Sequence, residues 1–108
     1  MNVNSASKQI YEALSKMEGV TSHKHRFGGT EYILGKREIG HVHENYLVDI
    51  PFPKQVRNEI VSSGLAEPHH ILPESGWISF YIRNSSDVEK AISLLKRSYE
   101  IALNKKTL

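Results

Sequence analysis

All six histidines of the chain fall into close pairs: His23 with His25, His41 with His43, and His69 with His70. Imidazole titrates near neutrality and is the commonest metal ligand, so such clustering points to ligand binding, proton handling or metal coordination. Nothing competes with it. There is no cysteine, which removes both a thiolate nucleophile and a disulfide frame. A Gly-x-Ser-x-Gly elbow, a phosphate-binding glycine loop and a His-Glu-x-x-His helix are also missing from the sequence.

His41 and His43 sit at alternate positions of one predicted strand, so both imidazoles leave the same face. That is a zinc-ligand arrangement if His69, His70 or Glu67 adds a third donor. A two-residue turn at Glu44-Asn45 would set Val48 opposite His41, Tyr46 opposite His43 and Ile50 opposite Ile39. The Ile39, His41 and His43 face is then largely apolar and looks toward the helices. Glu38, Gly40, Val42, Leu47 and Asp49 take the other face, with Asp49 pointing away from the two histidines. In an extended Pro68-His69-His70 segment only one of the two histidines faces a pocket. His23 and His25 share a face with Phe27 and read as edge or structural residues.

Trp77, Ser79 and Tyr81 share one face of a strand whose other face is Ile78, Phe80 and Ile82, the better core face. Tyr32 joining Trp77 and Tyr81 would make an aromatic platform on which bases stack, flanked by Lys24 and Arg26. A second layer or a dimer contact would bury the same aromatics.

These residues need elements to position them. Ala6, Ile10, Ala13, Leu14 and Met17 repeat at helical spacing, which predicts a helix over residues 5–17 ended by Gly19-Val20. Strands follow over residues 20–27, 30–34, 37–43 and 46–50, separated by glycine-containing turns and by Glu44-Asn45. Pro51-Phe52-Pro53 stops the sheet and opens a helix carrying Val56, Ile60 and Val61. Residues 66–76 read as loop, residues 77–82 as the clearest strand, and Ser86-Asp87-Val88-Glu89 as a capping box before a long last helix. The order α-β-β-β-β-α-β-α implies an α+β fold: one compact domain over residues 1–108, about five antiparallel strands and three helices.

Length and charge bound the rest. A chain of 108 residues builds one core. A formal charge of +2 is small beside the basic patches of nucleic-acid binders. Protonating all six histidines would raise +2 to +8, so mild acid changes the surface potential strongly. The absence of cysteine, of a leader and of any membrane-length apolar run suggests a cytoplasmic protein without membrane contact, monomeric or homodimeric.

The strings Gly29-Thr30-Glu31-Tyr32-Ile33-Leu34-Gly35 and Glu38-Ile39-Gly40-His41-Val42-His43 carry a resemblance. It continues through Asp49-Ile50-Pro51-Phe52-Pro53, Ala66-Glu67-Pro68-His69-His70 and Pro73-Glu74-Ser75-Gly76-Trp77. In this order the strings resemble the small luciferase-domain family over about residues 19–103. The resemblance implies a compact α+β unit with its histidine-rich strings close together; no luciferin or flavin site carries over onto a named residue. The segment from Trp77 to Tyr99 is also faintly similar to the end of the YjbR-like double-wing family.

The leading expectation is a small binding module holding a small or acidic ligand in a pocket of Glu38, His41, His43, His69, His70 and Trp77, oriented by Asp49 and Arg57. No cofactor and no catalytic residue is assigned. The alternatives are a metal-dependent enzyme or metal-binding protein built on His41 and His43, and a nucleic-acid binder using Lys24, Arg26, Trp77 and Tyr81.

Overall fold

A computed structural model describes residues 5–25 and 28–107. Its elements run α1 (Ala6–Ser15), β1 (Val20–Lys24), β2 (Thr30–Leu34), β3 (Arg37–His43), β4 (Leu47–Pro51), α2 (Lys54–Ser62), β5 (Glu67–Pro68), β6 (Trp77–Tyr81) and α3 (Ser85–Thr107). The six strands make one sheet in the order β1-β2-β3-β4-β6-β5, antiparallel at every pairing. The α+β class and the three helices agree with the sequence reading. The sixth strand is the short β5, inside the stretch expected to be loop, where Glu67 and Pro68 pair with Ser79 and Ile78.

The helices form where their apolar spacing demands. α1 buries Ala6, Ile10 and Leu14, four residues apart, and α3 buries Val88, Ala91, Leu95 and Ala102. The capping box of α3 lies two residues earlier than expected. Asn84 Oδ1 accepts the Asp87 N–H at 3.2 Å, and Asp87 Oδ2 accepts the Asn84 N–H at 3.3 Å. Asn84 therefore caps the helix and Asp87 reaches back, the reciprocal pair that a box requires.

α3 lies across β2, β3 and β4, with α1 packed beside it. Gly40 makes this approach possible: a Cβ there would sit 2.6 Å from Leu95 Cδ2. Because strand side chains alternate, Gly40, Val42, Val48 and Ile50 face α3, and the site lies on the far side of the sheet. The expectation that His41 and His43 look toward the helices is thereby corrected. Tyr32 pairs with Gly40 and is 1% exposed, so it too belongs to the helix side. It cannot join Trp77 and Tyr81, and the expected three-ring platform does not form.

Two one-residue offsets decide what lies on the far face. His41 pairs with Asp49, Val42 with Val48 and His43 with Leu47, so Glu44, Asn45 and Tyr46 all belong to the connection. A three-residue loop reverses the parity of β4 and turns Asp49 toward the histidines, against the expectation. In the β2–β3 ladder Tyr32 pairs with Gly40 but Ile33 with Glu38, which leaves Ile39 bulged. The bulge shifts parity once more and carries Glu38 onto the same face as His41.

The result is one polar row across all six strands. His23 pairs with Glu31, Glu31 with His41, His41 with Asp49, Asp49 with Ser79, and Ser79 with Glu67. Its centre is buried: Asp49 and Ser79 are both 0% exposed.

Candidate functional site

The buried Asp49 carboxylate is the hub of the site. Its Oδ2 lies 3.0 Å from His43 Nε2, 3.0 Å from His70 Nε2, 3.3 Å from His41 Nε2 and 3.5 Å from His69 Nε2. Its Oδ1 accepts the Ser79 hydroxyl at 2.7 Å. β3 supplies His41 and His43, β4 supplies Asp49, and β6 supplies Ser79. His69 and His70 come from the chain after β5. That chain bends at His70 rather than staying extended, so both rings stack over the sheet, 4.5 Å apart. The expectation that only one of them faces the pocket is corrected. The bend is pinned where the His70 N–H donates to Ser79 Oγ at 3.1 Å.

The ring nitrogens are not equivalent. His41 Nδ1 lies 2.6 Å from Glu38 Oε2, so it carries the proton that it donates to that carboxylate. Neutral His41 therefore directs an Nε2 lone pair at the cluster. His69 is arranged the other way. Its Nδ1 accepts the N–H groups of Ile71 at 3.1 Å and Leu72 at 3.0 Å. Neutral His69 consequently carries its proton on Nε2 and presents a donor to the cluster.

Electrostatics follow from this geometry. Burial alone would lower the His41 pKa, but the hydrogen bonds and charges of Asp49 and Glu38 outweigh it and raise the pKa to about 9. Burial would raise that of Asp49, yet hydrogen bonds from His41, Ser79 and His70, with the charge of His69, hold it well below the usual carboxylate range. His69 is pushed down by burial and by the neighbouring His70, His41 and His43, against the pull of Asp49. Without any bound species, then, His41 is an imidazolium bridging two carboxylates and His69 stays neutral.

Around this floor is a cavity of about 390 Å³ lined by His25, Glu38, His41, His43, Asp49, His69, His70, Ile71, Leu72 and Trp77. The Trp77 ring lies 5.3 Å from His41 and 5.9 Å from His69. Of the residues expected in a pocket, Glu38, His41, His43, Asp49, His69, His70 and Trp77 are brought together. Arg57 is not: its guanidinium donates to the Pro73 carbonyl and to Asn58, holding the loop from outside the cavity.

Sequence reasoning missed His25, Ser79, Ile71 and Leu72. The His25 ring, next to the edge strand β1, stacks 4.3 Å from His41 and so also walls the cavity. Its parity with His23 would have placed it, once Glu31 and His41 were known to share a row. Ser79 had a plainer signal, being the one small hydroxyl in Trp77-Ile78-Ser79-Phe80-Tyr81. His23 stays exposed on β1 beside Thr21, 2.9 Å from its hydroxyl. Of the nucleic-acid candidates, Lys24 is exposed, Tyr81 lies 5.2 Å under the Arg83 guanidinium, and Arg26 lies outside the described residues. No helix among the described residues is long and apolar enough to cross a membrane.

Asp49, His41, His43, His69, His70 and Trp77 all fall inside residues 36–98, which match the family model of the luciferase domain. The chain belongs to the luciferase-domain family. No curated protein and no solved structure matches it. For this luciferase domain the matched segment runs from β3 into α3 and so includes the bulge, the three-residue loop and the histidine-bearing bend, while His25 precedes it.

Proposed function

We propose that this luciferase domain is a metal-dependent binding module that holds one divalent transition-metal ion on His41, His43 and Asp49. The observation that carries the reading is the convergence of several Nε2 atoms on one buried oxygen, Asp49 Oδ2, at 3.0–3.5 Å. One carboxylate oxygen offers about two lone-pair sites, too few for four imidazole donors. The His43 and His41 separations of 3.0 and 3.3 Å match donor-to-donor edges about an ion, since bonds of about 2.1 Å put neighbouring ligands about 3.0–3.5 Å apart. The sets His41, His43, Asp49 and Asp49, His69, His70 each have donor atoms within 4.8 Å of one another.

The surroundings support the same assignment. Glu38 against His41 Nδ1 is the carboxylate–histidine pair that orients a metal-bound imidazole and raises its basicity. Ser79 fixes the other oxygen of Asp49, leaving Oδ2 to the ion. His69 is set aside as a donor by its two backbone hydrogen bonds, so it stands beside the ion as a hydrogen-bonding group. An ion held on Asp49 would add positive charge to the floor and make it attractive to an acidic ligand. Imidazole with carboxylate suits zinc, nickel, iron or manganese.

The test is elemental analysis of protein purified without a His tag, followed by titration of the metal-free protein with Zn²⁺, Ni²⁺, Fe²⁺ and Mn²⁺. One equivalent of one metal should bind and raise the melting temperature. Asp49→Asn and His43→Ala should each abolish that rise. Substoichiometric metal, with no thermal shift from any of the four ions, overturns the proposal.

A further inference from the structure

Resting on the metal assignment above, we infer that the ion's open side takes a small carboxylate with a flat apolar body, its oxygen bonded to His69 Nε2–H and its body against Trp77, Ile71 and Leu72. A cavity of about 390 Å³ is far more space than an ion needs and lies in the range of small-molecule sites. Its walls divide by chemistry. The floor is imidazole and carboxylate, whereas the rim is Ile71 and Leu72, 71% and 53% exposed, facing the half-buried Trp77. These two aliphatic side chains give the polar floor an apolar rim, the mixed lining of a small-molecule site.

His69 links the two halves. The N–H groups that fix its tautomer are those of Ile71 and Leu72, the same residues that carry the apolar rim. A shift of that backbone would free Nδ1 and remove the two bonds that fix the proton on Nε2. The loop that covers the ligand's body thus also orients the donor for its head. Phosphate or sulfate would satisfy the ion and His69 but leave the rim bare. An apolar molecule without an anionic end would leave the ion's charge unanswered.

Trp77 is the only tryptophan, so its fluorescence reports on the cavity directly. The experiment titrates metal-loaded protein, its metal content verified, with phenylacetate, acetate and benzyl alcohol. Phenylacetate should alter Trp77 emission and bind at least about tenfold more tightly than acetate, the ring's burial supplying the difference. Benzyl alcohol should not compete. Leu72→Ser should weaken phenylacetate toward acetate while leaving acetate unchanged, and His69→Phe should weaken both without lowering metal content. Equal affinity for phenylacetate and acetate, or phenylacetate binding unchanged by Leu72→Ser, overturns the apolar-body assignment. Equal binding to metal-free protein overturns anchoring on the ion. A protein that takes up no metal refutes the reading of the metal site itself, a result distinguishable from failed phenylacetate binding by a loaded protein.

Discussion

Glu38 Oε2 sits 2.6 Å from His41 Nδ1, a contact between residues three apart on a strand that only the bulge at Ile39 permits. In a regular strand these two side chains would lie on opposite faces. Because a carboxylate on the far nitrogen sharpens an imidazole ligand, Glu38→Gln keeps the shape but removes the charge. Metal affinity should fall by about 10–100-fold, the usual cost of losing such an outer partner. Competition with a chromogenic chelator measures it. An unchanged dissociation constant would show that the pair serves the fold alone.

The pH dependence of the metal-free protein should run opposite to that of metal binding. The His41 pKa is raised in the folded state to about 9 by Asp49 and Glu38, against the burial that lowers it. The folded protein thus holds that proton more tightly than the unfolded chain does. The resulting stability is complete below the unfolded value of about 6.5 and is lost as pH rises through about 9. His43, His69 and His70 also face Asp49, and the His25 ring stacks on His41, so these are the charged and titratable neighbours of the bridging imidazole. Metal must displace the His41 Nε2 proton, so affinity should rise with pH over the same interval, by up to about tenfold per unit for one proton released. Thermal melts with chelator and with metal, from pH 6 to pH 9.5, should diverge steadily. Parallel curves would mean that the ion displaces no proton from His41.

Much of the fold was legible in the sequence because alternation and turn residues are local. The strands Thr30–Leu34 and Arg37–His43 have the bounds that their composition suggests, and Pro53 stands at the cap of α2. The histidine-rich strings, Glu38, Asp49 and Trp77 were legible as candidates for one pocket. Which face each strand shows was not, because side-chain parity depends on single residues whose placement is a long-range matter. Ile39 bulges where β3 meets the β2 ladder, and the isolated Gly40 beside it signals a close approach as readily as a bulge. Tyr46 joins the turn, its N–H donating to the His43 carbonyl at 3.4 Å, while its own carbonyl accepts the Ile82 N–H at 2.8 Å from 36 residues along the chain. Two such offsets separated Glu38 and Asp49 from the histidines on paper and unite them in the structure.

Ser79 should matter for stability and not only for the site. Its hydroxyl donates to Asp49 Oδ1 at 2.7 Å and accepts the His70 N–H at 3.1 Å, all at 0% exposure for the serine. Ser79→Ala leaves a buried carboxylate oxygen and a backbone N–H without partners, which costs about 1–3 kcal/mol. Urea unfolding measures this. Combined with Asp49→Ala, the loss should be smaller than the two single losses added, since both remove the same contact. Strict additivity would indicate that the serine supports the bend at His70 and does not serve the carboxylate.

Glu44 is the only residue other than glycine with positive φ among the described residues, at 51°. It opens the three-residue connection that sets the parity of β4, so the loop carries strain where the site's geometry is decided. The rest of the loop is tied down: Asn45 Oδ1 accepts the Ser7 N–H at 2.8 Å, and Tyr46 is held by Ile82. The left-handed conformation costs a residue with a Cβ about 1–2 kcal/mol, and glycine escapes that cost but gains freedom in the unfolded chain. Glu44→Gly should therefore stabilise the protein by about 0.5–1 kcal/mol net. Metal content should not change, because His43 and Leu47 stay in register. A higher urea midpoint with intact metal binding is the expected outcome. Destabilisation would mean that the Glu44 side chain makes a contact worth more than the strain, and loss of metal would mean that the register depends on Glu44 itself.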